Sequence, residues 1–516
     1  EKIGKDKVQL FCLGKIKNLI TINKSSNNSL RKAGRNSVII RSKLNLRRFS
    51  SKTCRKNFMM ISKKKTIRNY YLFLSLLLCN LFPMSVFSGN LSEIYELSVS
   101  NDPELAAAQA RYLSRKEVVP LSRSQLLPQI GVRAQTSDNR REFPTNPAST
   151  ASYFNENGWS GFLSQPIFRL ESWYQLQRSK NLRSEAQAKL SSEQQALIVR
   201  VAEIYFRILE REAALSASAA KREAVKRQLE QVQQRFDVGL VAITDVLESK
   251  AAFDSSTVSV IEDEGAQSNS FEPLVRLTGR TFDFVYGLSD QFPVKSPDPN
   301  NEEEWVDEAL KNNYTVKANE ALVDAGKRSL KAAKSRHLPT IDAQVSYSHN
   351  ESGGTSFLGQ EVDQQTATLN LSMPIFQGGA VRSGVRTAKH DLEASRKILD
   401  LTKRQVVENT RSLFRLVNTD VARVSAGKRG IESSESALEA TLTGYEVGTR
   451  NIVDVLNAQR SLFLSQFQYA GARYRYVLNT LKLKQTVGVL APDDIYNLNK
   501  FLDTTQTINR TTKLTR

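Results

Sequence analysis

The stretch Ile341-Asp-Ala-Gln-Val-Ser-Tyr-Ser348 decides between two folds, because apolar and polar side chains alternate strictly along it. Residues 367–373 (Ala-Thr-Leu-Asn-Leu-Ser-Met) show the same alternation. A period of two predicts β-strands that have one apolar and one polar face. Such strands can belong to a half-buried soluble sheet or to a membrane β-barrel whose apolar face meets lipid. From the alternation alone, both interpretations stay open.

Counterparts of these two strands lie earlier in the chain, where Phe162 and Gln165 fall on the unexpected faces. The four predicted strands lie near residues 130–136, 158–167, 340–348 and 366–375. Polar segments that contain Gly and Asn separate the members of each pair and are predicted to be external loops (137–157 and 349–365). The candidates for aromatic belts at the two membrane surfaces are Trp159, Phe168, Tyr347 and Phe376.

The number of strands constrains how such a sheet could lie in a membrane. Four strands cannot close a barrel, because the smallest membrane barrels need about eight. An open sheet in lipid would leave the backbone groups of its edges unsatisfied. The chain must then pool its strands with identical copies. Two copies would supply eight strands and a filled interior, whereas three would supply twelve and leave room for water.

The strands are part of a tandem duplication. Four matches recur in the same order, at spacings of 208–211 residues. They are Leu127–Ile130 with Leu338–Ile341, Gln165–Phe168 with Met373–Phe376, Phe206 with Phe414, and Phe236–Leu247 with Tyr445–Leu456. We therefore predict a first repeat over 89–295, a second repeat over 300–490 and a C-terminal tail over 491–516.

Each repeat also contains a long helical tract. Proline is absent from 167–272 and from 375–491, and strong helix formers dominate both segments. Apolar residues recur at spacings of three and four, which predicts long helices packed as coiled coils. A soluble coiled-coil rod would account for these tracts equally well.

The basic charge is concentrated in the first 88 residues. The chain has 73 Lys and Arg against 53 Asp and Glu, and 20 basic and 2 acidic residues precede residue 89. We interpret 1–58 as a non-native or disordered basic leader and 59–88 as a signal peptide cleaved between Ser88 and Gly89. The open alternatives are a retained anchor, a lipoprotein site at Cys79, and a nucleic-acid-binding or organelle-targeted protein that uses the leader.

No enzyme signature is present in the sequence. The three cysteines precede residue 89, and the three histidines (His337, His349 and His390) are scattered. We find no nucleotide-binding loop and no nucleophile elbow. We therefore expect no enzymatic activity, no cofactor, no metal site and no nucleic-acid partner.

Two motifs, Gln233–Val246 and Gly444–Leu456, are the most specific part of a family resemblance, and Leu338–Ile341 and Met373–Gly379 support them. On these residues the chain resembles the TolC family of outer-membrane efflux and type I secretion channels. The resemblance implies a mainly α fold with a membrane β-barrel portion. A homotrimer would build one 12-stranded barrel from four strands per protomer, and long coiled-coil helices would form a tunnel through the periplasm.

The resemblance also implies a function and partners. The channel would lie in the outer membrane of a Gram-negative bacterium and act as a passive exit duct for multidrug efflux or type I secretion. Its partners would be a periplasmic adaptor (membrane fusion) protein and an inner-membrane RND or ABC transporter, in contact with outer-membrane lipid. The alternative is a periplasmic coiled-coil scaffold without a channel. The sequence does not identify the cargo.

Finally, the resemblance assigns site residues at the periplasmic end. The gate would consist of Tyr445 bonded to Asp245, and of Arg450 reaching Thr244 and Asp245. Asp454 would form a cation-attracting ring at the constriction, whereas Asn457 stands where the family has a second Asp. The adaptor would dock on Val238, Gly239, Leu240, Val447, Gly448 and Thr449. Alternatively, Asp245 and Asp454 only cap helices, with Ile243 and Ile452 as hydrophobic staples.

Overall fold

A computed structural model describes residues 89–142, 151–354 and 357–511 of the chain. The predicted leader (1–58) and signal peptide (59–88) lie outside the described residues, as does Ser88 of the proposed cleavage site. Gly89, on the other side of that site, is described and is buried.

Long helices dominate the described chain. In chain order the helices are α1 (Leu91–Asn101), α2 (Pro103–Lys116), α3 (Val118–Ser124), α4 (Leu170–Asp237), α5 (Ile243–Ser270), α6 (Glu272–Thr278), α7 (Glu302–Asn312), α8 (Tyr314–Ser335), α9 (Ala380–Glu446), α10 (Ile452–Val487) and α11 (Pro492–Asn499). With 68 residues, α4 is about 100 Å long at about 1.5 Å per residue. Among the helices described, none has both the length and the apolar character that crossing a membrane would require.

The strands form two sheets. They are β1 (Gln129–Arg141), β2 (Ser152–Phe168), β3 (Phe284–Leu288), β4 (Thr340–Gly354), β5 (Phe357–Ser372) and β6 (Leu502–Asn509). One sheet has the order β1-β2-β4-β5, with every neighbouring pair antiparallel, and the other pairs β3 with β6. The region predicted as a C-terminal tail thus contributes a helix, α11, and a strand of the smaller sheet.

The four strands of the larger sheet are longer than predicted at one end. Much of the chain expected in the external loops continues the ladder, for example from Ser352 to Gln360 between β4 and β5. The hydropathy pattern disappears there because both faces become polar, whereas backbone pairing does not require an apolar face. At the other end β5 stops at Ser372 rather than at residue 375, because Pro374 has no N–H to donate to the ladder.

The two side chains that break the alternation of β2 have structural explanations. Phe162 lies on the polar face opposite Gly131, and a Cβ added at Gly131 would come within 2.5 Å of the Phe162 ring. The missing side chain of Gly131 therefore makes room for that ring. Gln165 lies on the apolar face, where its Nε2 donates a hydrogen bond to the carbonyl of Leu126 at 3.1 Å.

Helices and strands meet directly at one end of the sheet. Only Arg169 separates β2 from α4, and short connections join α3 to β1 and α8 to β4. Ion pairs of Arg169 with Asp342 and of Arg336 with Glu171, both at 2.9 Å, link the two repeats at this junction. The strands are therefore continued by helices within each repeat.

The main hydrophobic core lies midway along α4, far from both ends of that helix. There α4 meets α1, α6, α11, β3 and the C-terminal part of α10. Tyr205 of α4 is fully buried, and its Oη donates to the carbonyl of Tyr286 at 2.7 Å and accepts from the Tyr286 amide at 3.1 Å. Burial raises the pKa of Tyr205, so its hydroxyl stays protonated and remains a donor.

Candidate functional site

Two helical hairpins end in nearly identical turns. In the first hairpin α4 turns into α5 at Gly239, and in the second α9 turns into α10 at Gly448. Both glycines have a φ of 79°, a left-handed conformation that other residues rarely adopt. The amide of Leu240 bonds back to the carbonyl of Arg235, and that of Thr449 to the carbonyl of Gly444, both at 2.8 Å. These bonds satisfy carbonyls at the ends of α4 and α9.

The tips of both turns are exposed. Val238, Leu240 and Val447 each expose about 70% of their surface, and Gly239, Gly448 and Thr449 are also exposed. These six residues are the predicted docking positions. The first turn thus presents two apolar side chains outward from the helix ends, Val238 and Leu240, and the second presents one, Val447.

Behind the turns, the two hairpins pack against one another through a small group of buried side chains. We call this group the tip cluster; it consists of Val232, Val246, Tyr445, Ile452 and Val455. It is separate from the main core, which lies midway along α4. The two hairpins are therefore held together at their tips by few apolar contacts.

Tyr445 belongs to the tip cluster and is only 6% exposed. The guanidinium of Arg235 lies 4.8 Å above its ring, a cation–π contact between the two hairpins. The Tyr445 hydroxyl has no hydrogen-bond partner among the described residues, so the predicted bond to Asp245 is not made within one chain. Sequence reasoning missed Arg235, because this stacking depends on how the hairpins pack and leaves no local pattern.

Arg450 and the predicted acceptors are not brought together within one chain. The Nη1 of Arg450 lies 3.9 Å from Oδ2 of Asp454, one turn further along α10. Thr244 Oγ1 lies 3.4 Å from the neighbouring Asp245 Oδ1. A Cβ on Gly444 would come within 2.8 Å of Arg450 Cγ, so this glycine leaves room for the Arg450 side chain.

The two aspartates differ in their capping roles. Asp454 takes part in a capping box with Asn451: its amide donates to Asn451 Oδ1 at 2.9 Å, and its Oδ2 accepts from the Asn451 amide at 3.4 Å. Helix α5, in contrast, has no side-chain cap at Ala242, and Asp245 only places a negative charge in its first turn. The structure thus supports the capping interpretation for Asp454. Ile452 is buried in the tip cluster, whereas Ile243 is half exposed.

Asp454 and Asn457 share one side of α10, because they are three residues apart. Asp454 is 37% exposed at its side chain, and Asn457 is exposed. Both therefore remain accessible next to the turn. Within the ranges that the structure describes, no three His, Cys, Asp or Glu side chains are placed to hold a metal ion.

The chain is similar to a known family and to several known proteins. The model of the outer membrane efflux protein family matches residues 94–280 and 305–489. The chain is 33% identical over 419 residues to the outer membrane protein TolC of Vibrio cholerae, covering 80% of this chain and 94% of that protein. It is 25% identical to the alkaline protease secretion protein AprF of Pseudomonas aeruginosa, covering 82% of this chain and 88% of that protein.

Among solved structures, the chain is similar to the CmeC outer membrane channel of Campylobacter jejuni. The TM-score is 0.67, at 16% sequence identity, and the match covers 82% of this chain and 95% of that channel. At this identity the likeness concerns the fold. The family match falls into two segments, which residues 281–304 separate.

Proposed function

Because the chain belongs to the outer membrane efflux protein family, we propose that it is an outer-membrane exit duct for efflux and type I secretion, working passively with an inner-membrane pump. The observation that carries the proposal is a four-stranded sheet, apolar on one face, that continues into helices about 100 Å long. The apolar face of the sheet can contact lipid, and the helices have the length to cross the periplasm. The cargo is selected by the pump.

We propose that the barrel forms from three chains. Strands β1 and β5 are the edges of the sheet, and neither has a second partner strand among the described residues. Because β1 and β5 run in opposite directions, β5 of one copy can pair antiparallel with β1 of the next. Three copies supply twelve strands and no free edge, which satisfies the requirement for closure in lipid.

The two faces of the sheet support this arrangement. On one face, cross-strand pairs bring Ile130 beside Leu163, Leu163 beside Val345, and Val345 beside Ala367. The opposite face carries polar side chains such as Gln344 and Thr368, which are also paired across strands. The first face would meet lipid and the second would line water. Trp159 and Tyr347, with ring centroids 5.2 Å apart, lie where the apolar band ends.

The gate is proposed for the assembled trimer. Among the described residues, the buried Tyr445 hydroxyl has no hydrogen-bond partner and the exposed Arg450 side chain makes only a long ion pair, so both groups retain donors for a further bond. In the closed trimer, Tyr445 and Arg450 would donate to Asp245, and Arg450 would also bond Thr244. Charge-assisted hydrogen bonds of this kind are directional and reversible.

Single-channel conductance in planar bilayers tests the gate. The double variant Arg450→Ser, Tyr445→Phe removes the donors and should raise the conductance and the leakage of antibiotics into cells. Arg429→Ser, at an exposed position of α9 more than four helical turns from the tip, is the matched control and should leave the conductance unchanged. Wild-type conductance in the double variant would remove these residues from the gate.

Asp454 is proposed to form a ring of three carboxylates at the constriction, where a narrow pore strengthens the attraction of cations. Asn457 leaves the second ring uncharged. The variant Asn457→Asp should therefore increase the cation selectivity, measured from reversal potentials. It should also increase the block by trivalent cations, measured from single-channel currents. An unchanged block would place Asn457 outside the pore lining.

We propose that the exposed tips dock a periplasmic adaptor, which joins the channel to an RND or ABC transporter. The apolar residues Val238, Leu240 and Val447 would enter grooves on that partner. The competing function is a periplasmic coiled-coil scaffold without a channel. Heat-modifiable migration of protein from outer-membrane fractions distinguishes the two, because a scaffold would be released without detergent.

The domain limits and the processing site remain part of the proposal. We expect repeats over 89–295 and 300–490, with 1–58 absent from the mature protein and the signal peptide 59–88 removed before Gly89. Gly89 lies against β3, where an added Cβ would clash with the Phe284 carbonyl oxygen. N-terminal sequencing of the mature protein tests the cleavage, and a start other than Gly89 would contradict it.

A further inference from the structure

Three buried polar side chains lie one helical turn behind the tip cluster. Gln228 precedes Val232 by four residues on α4, Ser249 follows Val246 by three on α5, and Gln459 follows Val455 by four on α10. Helix α4 ends at the tip, whereas α5 and α10 begin there. Each of the three polar residues is therefore farther from the turns than the tip-cluster residue from which it is counted. Three or four residues correspond to about 4.5–6 Å along a helix, so the three side chains lie at about the same depth behind the turns, as one layer.

Each member of this layer, which we call the polar layer, has an unsatisfied polar atom. Gln228, Ser249 and Gln459 expose 4%, 0% and 7% of their surface, respectively. Nε2 of Gln228, Oγ of Ser249 and Oε1 of Gln459 have no hydrogen-bond partner among the described residues. An unpaired polar group of this kind, sealed from water, costs about 1–3 kcal/mol. Three together would strongly oppose the packing of the hairpins.

On α4 and α10, the buried residues on either side of the polar layer are apolar. The tip cluster lies on the side of the turns, and the buried residues Val225 and Leu462 follow three residues beyond Gln228 and Gln459. The polar layer thus interrupts the apolar packing between the first and second hairpins. Other buried glutamines of the chain are paired: Gln195 Nε2 donates to the Leu490 carbonyl at 2.8 Å, and Gln267 Nε2 to the Asn509 carbonyl at 2.7 Å.

We propose that the polar layer is a binding site for water between the two hairpins and that it lets the tip cluster separate as a unit of its own. Donors and acceptors are both present: an amide N–H, a hydroxyl and an amide oxygen. A buried water needs two to four such partners. The site takes up water molecules that bridge these groups, and the hydrated layer limits the contacts that must break when the hairpins part.

The opening role rests on the proposed function, whereas the binding of water does not. A thiol at Ser249 tests whether solvent reaches the layer. Residues 89–516 contain no cysteine, so in a background with Cys12, Cys54 and Cys79 replaced by serine the variant Ser249→Cys carries a single thiol. Ser256→Cys is the matched control, because Ser256 also lies on α5, is 0% exposed, and donates its hydroxyl to the Phe253 carbonyl at 2.7 Å.

A small, charged methanethiosulfonate should label Ser249→Cys at least tenfold faster than Ser256→Cys in the purified protein in detergent. Equal labelling rates would overturn the water site. This comparison measures only access of solvent to the layer, so it is independent of whether the protein conducts.

Amide hydrogen exchange tests the second part of the proposal. The double variant Gln228→Leu, Gln459→Leu replaces the polar layer with apolar packing and should slow exchange of the amides around Gly239 and Gly448 about tenfold. Gln195→Leu, on the same helix as Gln228, removes a paired amide and should instead speed exchange near Leu490. Unchanged or faster exchange at the tips of the double variant would refute separate opening, even if the gate variants alter conductance as expected.

Discussion

The hydroxyl of Tyr205 satisfies backbone groups of a strand that is distant in the sequence. It bonds both the amide and the carbonyl of Tyr286, in the middle of the short strand β3. A ring at this position is expected from the apolar spacing of α4, but the hydrogen bonds are not, because their partner lies 81 residues away. Side chains that satisfy a distant backbone leave no local pattern in the sequence.

We predict that Tyr205→Phe lowers stability by about 1–3 kcal/mol, because the Tyr286 carbonyl loses its buried donor. Thermal melting of the purified protein in detergent measures the change. Tyr474→Phe is the control, because Tyr474 lies in the same core: its ring centroid is 5.7 Å from that of Phe206. Burial raises the pKa of Tyr474 to about 12, so its hydroxyl is also protonated. Equal losses of stability in the two variants would show that the hydrogen bonds of Tyr205 to Tyr286 do not stabilise the protein.

Phe162 and Gln165 show how single residues can obscure an element. Each breaks the alternation of β2, yet each is accommodated by a partner elsewhere, Gly131 in one case and the Leu126 carbonyl in the other. The glycine opposite Phe162 is visible in the sequence, but its role becomes evident only with the register of β1 and β2. The alternation therefore predicts the existence of a strand more reliably than the face of each residue.

At the scale of elements, helix length is predictable because it depends on local composition. The absence of proline predicts tracts that the structure fills with α4 and α5, and with α9 and α10, and the Val-Gly pairs lie in the turns between them. The outer ends of the strands, and the whole of β3 and β6, were not predicted. Their pairing is made by the backbone with distant segments, and their side chains carry little alternation.

The left-handed glycine of the second hairpin gives a prediction at this scale. Gly448→Ala should destabilise the turn by about 1–2 kcal/mol, because the cost lies in the backbone conformation and no atom lies within 4 Å of the added Cβ. This destabilisation should appear as faster hydrogen exchange of the amides at the end of α9 and as a lower melting temperature.

Gly265→Ala is the matched control for this variant. Gly265 lies inside α5 and its added Cβ also meets nothing within 4 Å, but its backbone is helical. The substitution should stabilise the protein by about 0.5–1 kcal/mol. If both alanine variants shift stability in the same direction, the left-handed conformation of Gly448 is not what makes glycine necessary there.

For the whole molecule, the duplication was predictable and the packing of the repeats was not. Internal matches identify two repeats, and each supplies a strand pair and a helical hairpin. The pairing of β2 with β4, which joins the repeats into one sheet, follows from no local signal. Nor does the sequence indicate that the tip cluster stands apart from the main core, since that depends on which helices meet.

Lipid exposure of the sheet gives a prediction that only the assembled molecule can fulfil. Leu369 is 70% exposed on the apolar face in the single chain, beside Ala343 of β4. If that face meets lipid, Leu369→Arg should cost about 2–4 kcal/mol near the middle of the bilayer and reduce the heat-modifiable trimer in outer membranes. Thr368→Arg, one residue earlier, faces the opposite side and should assemble normally, since an arginine there would meet water.

A soluble sheet with its apolar face covered by protein would also be destabilised by Leu369→Arg, but that variant would then be lost from every cell fraction. A barrel closed in lipid predicts a different result. Full-length Leu369→Arg should accumulate in the periplasm as unassembled chains, while Thr368→Arg gives a normal yield of trimer.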